Sequence, residues 1–503
     1  MSQRNRYASI PIFVQCYINV NPHTLTLGLC RLISLWLFFL SEVIPIYFLG
    51  RTFSITASVI FWGVAWIVLV RILLASMGVS RIRSWFIPIP INSVRKRISL
   101  ILSEREAPLI KGRIIAYRKG LHINVKIILF GLGVRLAFLA FGFFFMHPEG
   151  LSGSVNDIFY NFNRWDAHHY IRLATYGYTW TERGNPLLVV FFPLYPYLIR
   201  GVNFLVRDVL ASAYIVSFAS YLAGLCYLFH LVKLDFCKRT AWWAVVLISI
   251  FPTSFFFGAP HTESLFMLTT AATLYYIRTH KWLLAGIAGA LATATRMVGV
   301  VLIASAAVEF IMHYKLFSLM RRDSWKIFFG LVFKKGAFIL LMLIGIVVYL
   351  FINWHITGDP LRFLHYQSYN WNNGFQYFGE AMRGQVVSMP FYRFATWQHN
   401  SMLYIRLPNV LGFGFGLWMI LYACLRRYNA GYIVYSLGYT FVSFSMVWLL
   451  SGGRYASALV PSFVFLADYV NKKPLKRGII VVLILLALLL PILRMYIRGG
   501  YVM

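Results

Sequence analysis

The sequence predicts an all-α, polytopic integral membrane protein. Of its 503 residues, 60% are hydrophobic and only 12% are charged, and the mean hydropathy is +0.69. Runs such as Ile479–Leu493 and Gly336–Leu350 carry no charge at all. Apolar runs that recur at lengths of roughly 17–25 residues fit membrane-spanning helices, whereas the strands of a β-barrel alternate apolar and polar residues. The chain is therefore expected to cross a membrane many times as helices.

The positions of the apolar runs predict about 13 transmembrane helices. The first two, with the loop after them, form an N-terminal extension over residues 1–122, and residues 123–503 form the main domain. No cleavage site of small residues follows the first run, so we expect it to be a retained span. The predicted spans cover residues 25–49, 53–77, 123–146, 211–232, 241–258, 265–278, 282–297, 298–313, 336–355, 403–425, 430–450, 456–470 and 478–496.

Basic residues determine the orientation of these spans. The net charge of +32 is concentrated in loops between apolar runs, which is typical of the cytoplasmic side of a membrane protein and argues against a nucleic-acid partner. Residues 81–119 hold ten Lys or Arg against two Glu, and we expect them to lie against anionic membrane lipids. The loops assigned to the cytoplasm are 78–122, 233–240, 315–335, 426–427 and 472–477.

The extracytoplasmic face receives the loops 147–210 and 356–402 and the turns at 259–264, 296 and 451–455. This alternation requires that the apolar stretch 187–206 does not cross the membrane. Pro186, Pro193 and Pro196 interrupt that stretch, and proline breaks a helix. The stretch is therefore predicted to be an interfacial or re-entrant element within the first large external loop.

The most informative polar motif is Trp165-Asp166-Ala167-His168-His169-Tyr170, in that first loop. A carboxylate at a membrane boundary is energetically costly unless another group pairs with it or its charge serves a function. One such function is to take the proton of an acceptor hydroxyl. Asp166 is therefore predicted to be a general base, the alternative being a loop-capping aspartate beside solvated histidines. The Asp-x-His spacing also suits a metal, but no further ligand set accompanies it, so we predict neither a metal nor another cofactor.

Two arginines and a glutamate fall on predicted external turns. Glu263 opens a helix after His261 and Thr262, where the helix dipole favours an anion and Thr262 suits the N-cap, so its role is either structural or catalytic. Arg296 and Arg454 fall on the predicted extracytoplasmic face, although most basic residues of the chain fall on the cytoplasmic side. This exception predicts an anion near each of the two arginines. Their guanidinium groups suit phosphate oxygens, and snorkelling to lipid headgroups is the alternative.

The second long loop begins with Gly358-Asp359-Pro360 and is rich in aromatic and amide side chains. The residues concerned include Trp371, Asn372, Asn373, Trp397 and His399. Such side chains suit sugar rings, through stacking and hydrogen bonds, and they equally suit an interfacial aromatic belt. Both interpretations stay open at this point.

These motifs resemble the mannosyltransferase family that adds the second mannose of glycosylphosphatidylinositol anchors, within the GT-C class of polytopic glycosyltransferases. The resemblance covers about residues 125–470 in the same order. His261 and Val298 depart from it, because the family has an aromatic and a polar residue there, and the divergence favours a prokaryotic relative. The matching motifs are Trp165-Asp166-x-x-His169-Tyr170, Ala174, Gly177-Tyr178, Phe192-Pro193-Leu194-Tyr195-Pro196, Thr262-Glu263-Ser264-Leu265-Phe266, Thr295-Arg296, Gly358-Asp359-Pro360 and Arg454-Tyr455.

The resemblance implies that a hexose, with mannose favoured, passes from a polyprenyl-phosphate donor to a lipid- or glycan-linked acceptor with inversion, on the extracytoplasmic face. It implies Asp166 as base, with His169 and Glu263 as further catalytic-site residues, and Arg296 and Arg454 as ligands of the donor phosphate. The membrane is expected to be the plasma membrane of a prokaryote or the endoplasmic reticulum of a eukaryote. Acceptor or sugar contacts are expected from Trp165, His168, Tyr170, Tyr195, His261 and Asp359.

Two other classes of function are weighed against this interpretation. A transporter or flippase for a lipid-linked sugar would share the polytopic fold and the arginines, but it would place ionisable residues near the membrane midplane and carry internal repeats. Here the polar motifs collect on one face, and no convincing repeat is found. A membrane scaffold is the third alternative, and for a scaffold Asp166→Asn would be silent.

Overall fold

The fold is a bundle of α-helices, seen in a computed structural model that describes residues 107–146, 155–179, 181–182, 184–387 and 402–500, together with Gly63 and Val502. Within these ranges no strand is present, in agreement with the predicted all-helical class. Most of the predicted extension over residues 1–122 lies outside them, as do Trp397 and His399. The proposed division into two domains therefore stays a prediction.

The helices are numbered in chain order. The first ten are α1 (Ala107–Met146), α2 (Val155–Phe162), α3 (Asp166–Tyr176), α4 (Leu194–Val206), α5 (Val209–Asp235), α6 (Lys238–Ser249), α7 (Glu263–Arg278), α8 (Trp282–Thr295), α9 (Val301–Tyr314) and α10 (Leu316–Arg321). The next ten are α11 (Trp325–Leu331), α12 (Ala337–Leu340), α13 (Ile344–Thr357), α14 (Arg362–Trp371), α15 (Phe378–Val387), α16 (Leu407–Arg426), α17 (Ala430–Phe444), α18 (Gly452–Ala458), α19 (Val460–Asn471) and α20 (Pro474–Ile497).

Six helical stretches in the described residues are long and apolar enough to cross a membrane. They are His122–Phe145, Val209–Asp235, Met297–Tyr314, Trp325–Thr357, Met402–Arg426 and Pro474–Ile497. The count of about 13 spans is not confirmed, because several predicted spans are shorter or interrupted. The stretch 241–258 is most of α6 followed by the 3₁₀ turn Ser254–Gly258. The stretch 456–470 is divided between α18 and α19, and Pro461 lies in the first turn of α19.

The apolar stretch 187–206 forms the 3₁₀ turn Leu187–Val190 and then α4. At 13 residues, α4 is only about 20 Å long, short of the roughly 30 Å hydrocarbon core. It packs against α3 and α5 and exposes Phe204 and Leu205 almost completely. An apolar face of this kind suits a helix that lies in the membrane interface, and that placement stays a prediction.

The helix α7 lies at the centre of the bundle, packed between α5 and α8. Its first residue is Glu263 and its last is Arg278, which places the two residues about 22 Å apart along the helix. The predicted cytoplasmic loops meet near the Arg278 end, where Arg239 donates to Asn471 and Lys472 pairs with Asp468. The residues predicted to form the site meet at the Glu263 end.

Candidate active site

Arg454, in the short helix α18, is the centre of the charged cluster at the Glu263 end. Its Nη2 and Nε atoms lie 2.6 and 2.8 Å from Oε1 of Glu263, and its Nη1 atom lies 3.2 Å from Oδ2 of Asp166. The guanidinium carbon lies 4.6 Å from the centre of the Phe256 ring. Buried Arg454 therefore holds together two carboxylates that are 191 and 288 residues away in sequence.

Arg296 supplies the second guanidinium group. It adopts an extended conformation where α8 ends. Its Nη2 lies 2.6 Å from Oε1 of Glu263, and its Nε donates to Oγ1 of Thr262 at 2.8 Å. The predicted capping bond of Thr262 is wrong, because this hydroxyl makes no bond to its helix and serves Arg296 instead. Nη1 of Arg296 makes no hydrogen bond within the described ranges, so one edge of this cation remains available to an anion.

Glu263 is sealed inside the protein and shared between the two arginines. Burial by itself raises the pKa of the Glu263 carboxyl, but the charges of Arg296 and Arg454 outweigh burial and hold that pKa well below its usual range. Its other oxygen, Oε2, is buried without a partner among the described residues. A carboxylate that stays ionised and closed to solvent acts as a counterion that fixes the two arginines.

Asp166 is the carboxylate of this pair that solvent can reach. Its side chain is 37% exposed, against 0% for Glu263. Only Oδ2 is bound, by Arg454, while Oδ1 makes no hydrogen bond in the described part of the chain. The preceding residue, Trp165, has a φ of 57°, a conformation that is uncommon for a residue with a side chain and concentrates at functional sites.

An aromatic wall stands beside Asp166. The His169 ring lies 5.1 Å from Phe191 and 6.3 Å from Trp371 between centres, so the second long loop reaches the first. Tyr170 packs edge-on against both Phe191 and Tyr195, at 5.1 and 5.2 Å. Burial lowers the pKa of His169, and its buried Nδ1 has no partner among the described residues.

His261 lies fully buried next to the charged cluster, with its ring 5.0 Å from that of Phe256. Both ring nitrogens lack a partner among the described residues. Burial, followed by the charge of Arg454, lowers the pKa of His261 to about 4, so its ring is neutral at neutral pH. Position 261 thus holds a polar ring that makes no hydrogen bond among the described residues.

Three predicted contact residues lie apart from the cluster. His168 is exposed on α3, whereas its neighbour His169 is partly buried. Asp359 stands in a turn, where it accepts from the Leu361 amide at 2.9 Å and is 44% exposed. Trp165 packs into the apolar group around Phe255. In the described residues, no group of three or more His, Cys, Asp or Glu side chains is arranged to hold a metal ion.

The sequence reasoning missed Arg135, which lies buried in the first described span. Its Nη1 and Nη2 donate to the carbonyl oxygens of Ser254 and Ser249, at 2.5 and 3.0 Å. These bonds hold the segment that carries Phe256 beneath Arg454. The available signal was a lone charge within the otherwise uncharged stretch 127–145, since ionised residues in spans are costly and are kept for a reason.

Fold and site together define a helical membrane protein with a charged site at one end of its bundle. A family profile described as dolichyl-phosphate-mannose-protein mannosyltransferase matches residues 192–333. GPI alpha-1,6-mannosyltransferase 2 of Cricetulus griseus is 27% identical over 176 residues, which cover 33% of this chain and 32% of that protein. The same enzyme of Rattus norvegicus is 26% identical over 183 residues, which cover 32% and 34%. The chain is therefore mannosyltransferase-like, and the predicted resemblance is confirmed.

The match spans about one third of the length of these curated relatives. Among solved structures, the oligosaccharyltransferase of Archaeoglobus fulgidus tethered with an acceptor peptide is 14% identical, with a TM-score of 0.37, and the match covers 74% of this chain and 55% of that one. Its complex with an inhibitory peptide and a dolichol-phosphate has the same identity and TM-score, with 74% and 56% covered. Such a score does not establish a shared fold. The transporter alternative receives no support from these comparisons.

Proposed function

We propose that this protein is a GT-C-like membrane glycosyltransferase that moves a hexose, mannose in the first instance, from a polyprenyl-phosphate carrier to an acceptor hydroxyl. The observation that carries the proposal is the arrangement of Asp166, Arg454 and Glu263. A solvent-accessible carboxylate is fixed by a buried guanidinium group, which is itself fixed by a sealed counterion. The similarity to mannosyltransferases supports the reaction class and the sugar.

In the proposed reaction, the acceptor hydroxyl oxygen attacks C1 of the sugar while its proton passes to Oδ1 of Asp166. The bond between C1 and the phosphate oxygen breaks, and the phosphate leaves with the electron pair. The free edge of Arg296 faces the developing negative charge, and Arg454 adds a second positive charge. Attack from the side opposite the leaving group inverts C1, and one carboxylate base suffices for this displacement.

An apolar groove supports a lipid-linked donor. It has a volume of about 1050 Å³ and lies between α16, α19 and α20. One end is formed by Thr253 and Gly453, which are joined by a hydrogen bond of 2.8 Å, and the other by Trp418 and Tyr469. Gly453 directly precedes Arg454. An isoprenoid chain in this groove would therefore end with its phosphate beside Arg454.

The distribution of charge supports a site on the extracytoplasmic face. The basic loops 233–240 and 472–477 meet at the Arg278 end of α7, and basic loops are retained in the cytoplasm. The Glu263 end then faces the opposite side. The plasma membrane of a prokaryote is the proposed location, and the acceptor is lipid- or glycan-linked.

Reconstituted proteoliposomes with radiolabelled polyprenyl-phosphate mannose and native lipid extract test this function. We expect transfer of label by the wild type and by Asp208→Asn, a matched control outside the cluster whose side-chain oxygen still accepts from the Ala211 amide, and loss of transfer in Asp166→Asn. Undiminished transfer by Asp166→Asn would remove the proposed base. Absence of transfer by the wild type from mannose, glucose and arabinose carriers alike would overturn the proposed reaction.

A further inference from the structure

A second pocket lies at the opposite end of α3 from Asp166. It has a volume of about 290 Å³. Because α3 has 11 residues, the pocket lies about 15 Å from the carboxylate. Its walls come from the end of α3, from α4 and from the last turns of α13. The side chains that matter here are Tyr176, Tyr178, Tyr197, Arg200, Phe351 and His355.

Arg200 brings an uncompensated positive charge to this pocket. Its Nε donates to the Ala174 carbonyl at 2.8 Å, and its Nη2 donates to those of Leu173 and Thr175 at 3.4 and 3.3 Å. Carbonyl groups are neutral, and no carboxylate contacts Arg200 in the described part of the chain. Nη1 makes no hydrogen bond there. Capping the end of α3 therefore uses only part of this side chain.

The backbone at Gly177 makes the close approach of Arg200 possible. Gly177 has a φ of +73°, and a Cβ atom there would lie 3.2 Å from Nη2 of Arg200. A side chain at this position would be strained and would press on the guanidinium group. The glycine of the Gly177-Tyr178 motif thus serves the second pocket.

Exposed apolar and aromatic side chains surround the pocket. Phe204 and Leu205 of α4 are strongly exposed, as is Trp354 beside the pocket on α13. Tyr176 and Tyr197 are 60% and 48% exposed, and tyrosines with an apolar body and a polar tip favour the headgroup region. A ligand that enters here combines an anionic group with an apolar part.

We propose that this pocket binds the phosphate group of a membrane lipid. Nη1 of Arg200 donates to the phosphate and His355 adds a second donor, while the acyl chains lie along the apolar faces of α4 and α13. The pocket is linked to the site through Tyr178, whose hydroxyl donates to the Phe191 carbonyl at 2.7 Å, and the Phe191 ring contacts His169. The identity of this lipid rests on the proposed glycosyl transfer. The lipid is the acceptor of the sugar, and its phosphate is bound about one helix length from Asp166.

Binding of short-chain lipids to the full-length protein in an uncharged detergent tests the site without any reaction. The probes are dihexanoyl phosphatidylglycerol and inorganic phosphate, titrated calorimetrically. We expect phosphatidylglycerol to bind the wild type and Arg207→Gln equally, because Arg207 is an exposed arginine of the same region outside the pocket. Arg200→Gln should weaken binding by about tenfold or more, since a charge-assisted hydrogen bond is lost.

Because Arg200→Gln also removes the cap of α3, His355→Glu provides a second variant. It leaves the three carbonyl bonds of Arg200 intact and places a negative charge in the pocket, and it should weaken lipid binding to a similar degree. Equal affinity in Arg200→Gln, His355→Glu and Arg207→Gln would overturn the proposal. Inorganic phosphate binding as tightly as phosphatidylglycerol would overturn the lipid as ligand.

The acceptor role is tested separately by transfer kinetics. Arg200→Gln is expected to raise KM for the acceptor lipid about tenfold while kcat and KM for the donor stay unchanged. A fall in kcat alone would overturn the acceptor role. If the wild type transfers no sugar, the proposed function fails, while the result of the lipid titration still decides whether this pocket exists as a phosphate site.

Discussion

Two charged clusters, one at each end of α7, differ in how completely their polar atoms are satisfied. At one end Arg278 lies 2.5 Å from Asp235 and 2.9 Å from Glu309. The remaining carboxylate oxygens accept from Tyr432 at 3.2 Å and Asn429 at 2.8 Å. Every carboxylate oxygen of this cluster has a donor, and Nε of Arg278 is its one unpaired buried nitrogen in the described residues.

The cluster at the Glu263 end is left incomplete. Oε2 of Glu263, both nitrogens of His261 and Nδ1 of His169 are buried without partners in the described ranges, and Asp166 is partly open to solvent. A buried polar atom without a partner costs about 1–3 kcal/mol, so each such atom calls for an explanation. The charged side chains at the Arg278 end therefore join four helices. Those at the Glu263 end keep unused hydrogen-bond donors and acceptors.

The largest expected difference concerns the two aspartates. Asp166→Asn should lower transfer by roughly 10²–10⁴-fold, the usual contribution of a general base, with little change in Tm because the side chain is partly exposed. Asp235→Asn should do the reverse, lowering Tm while each folded molecule keeps its activity. Sugar transfer and thermal unfolding, measured on the same preparations, check both. Equal losses of activity in the two variants would contradict the functional distinction.

The two buried glutamates sharpen the comparison. Removing one partner of a buried ion pair costs about 3–5 kcal/mol, so Glu263→Gln and Glu309→Gln should both lower the free energy of unfolding by about this amount. Only Glu263→Gln should also abolish transfer, because Arg296 and Arg454 lose the counterion that orients them. Unfolding titrations in mixed micelles, together with activity per folded protein, would detect the distinction. Full activity in Glu263→Gln would disprove the positioning role.

His261 should make the Glu263 end sensitive to acid. Its folded-state pKa of about 4 lies below the ordinary value of about 6.5, so folding favours the neutral ring. The stability that this preference contributes is fully present above about pH 6.5 and is lost as the pH falls towards 4. We expect the wild type to lose about 2 kcal/mol relative to His261→Phe between pH 7.5 and pH 5. Parallel pH profiles of unfolding for the two proteins would refute this.

The smallest expected effect concerns the aromatic wall. Trp371→Ala should raise KM for the acceptor or the donor by about two- to tenfold, because an aromatic contact is worth about 0.5–1.5 kcal/mol, and should leave kcat unchanged. Trp325→Ala is the matched control, since this tryptophan is exposed on α11, away from both pockets. Initial rates at varied acceptor and donor concentrations give the KM values of both variants. A KM that changes equally in both variants would count against the wall as a binding surface.

Residue type and position in the sequence were enough to select Asp166, Glu263, Arg296 and Arg454, because charged residues among apolar runs are costly and therefore informative. Their partners were not predictable. The resemblance implied that both arginines face a donor phosphate, whereas in the structure Arg454 directs all three nitrogens to carboxylates. Contacts between residues 288 positions apart depend on helix packing. The roles of these residues in a reaction stay predictions.

The sequence by itself determined the helical membrane class, the sorting of basic loops from polar motifs and the similarity to mannosyltransferases. The first two properties follow from the local cost of placing charge or polar backbone in a hydrocarbon, which can be read along the chain. The similarity follows from the order of the motifs in the sequence. Only the tertiary structure decided which carboxylate is sealed and which is open, that Thr262 serves Arg296, and that His168 and Asp359 lie apart from the cluster. Burial and pairing are properties of three-dimensional packing, and neighbours along the chain do not specify them.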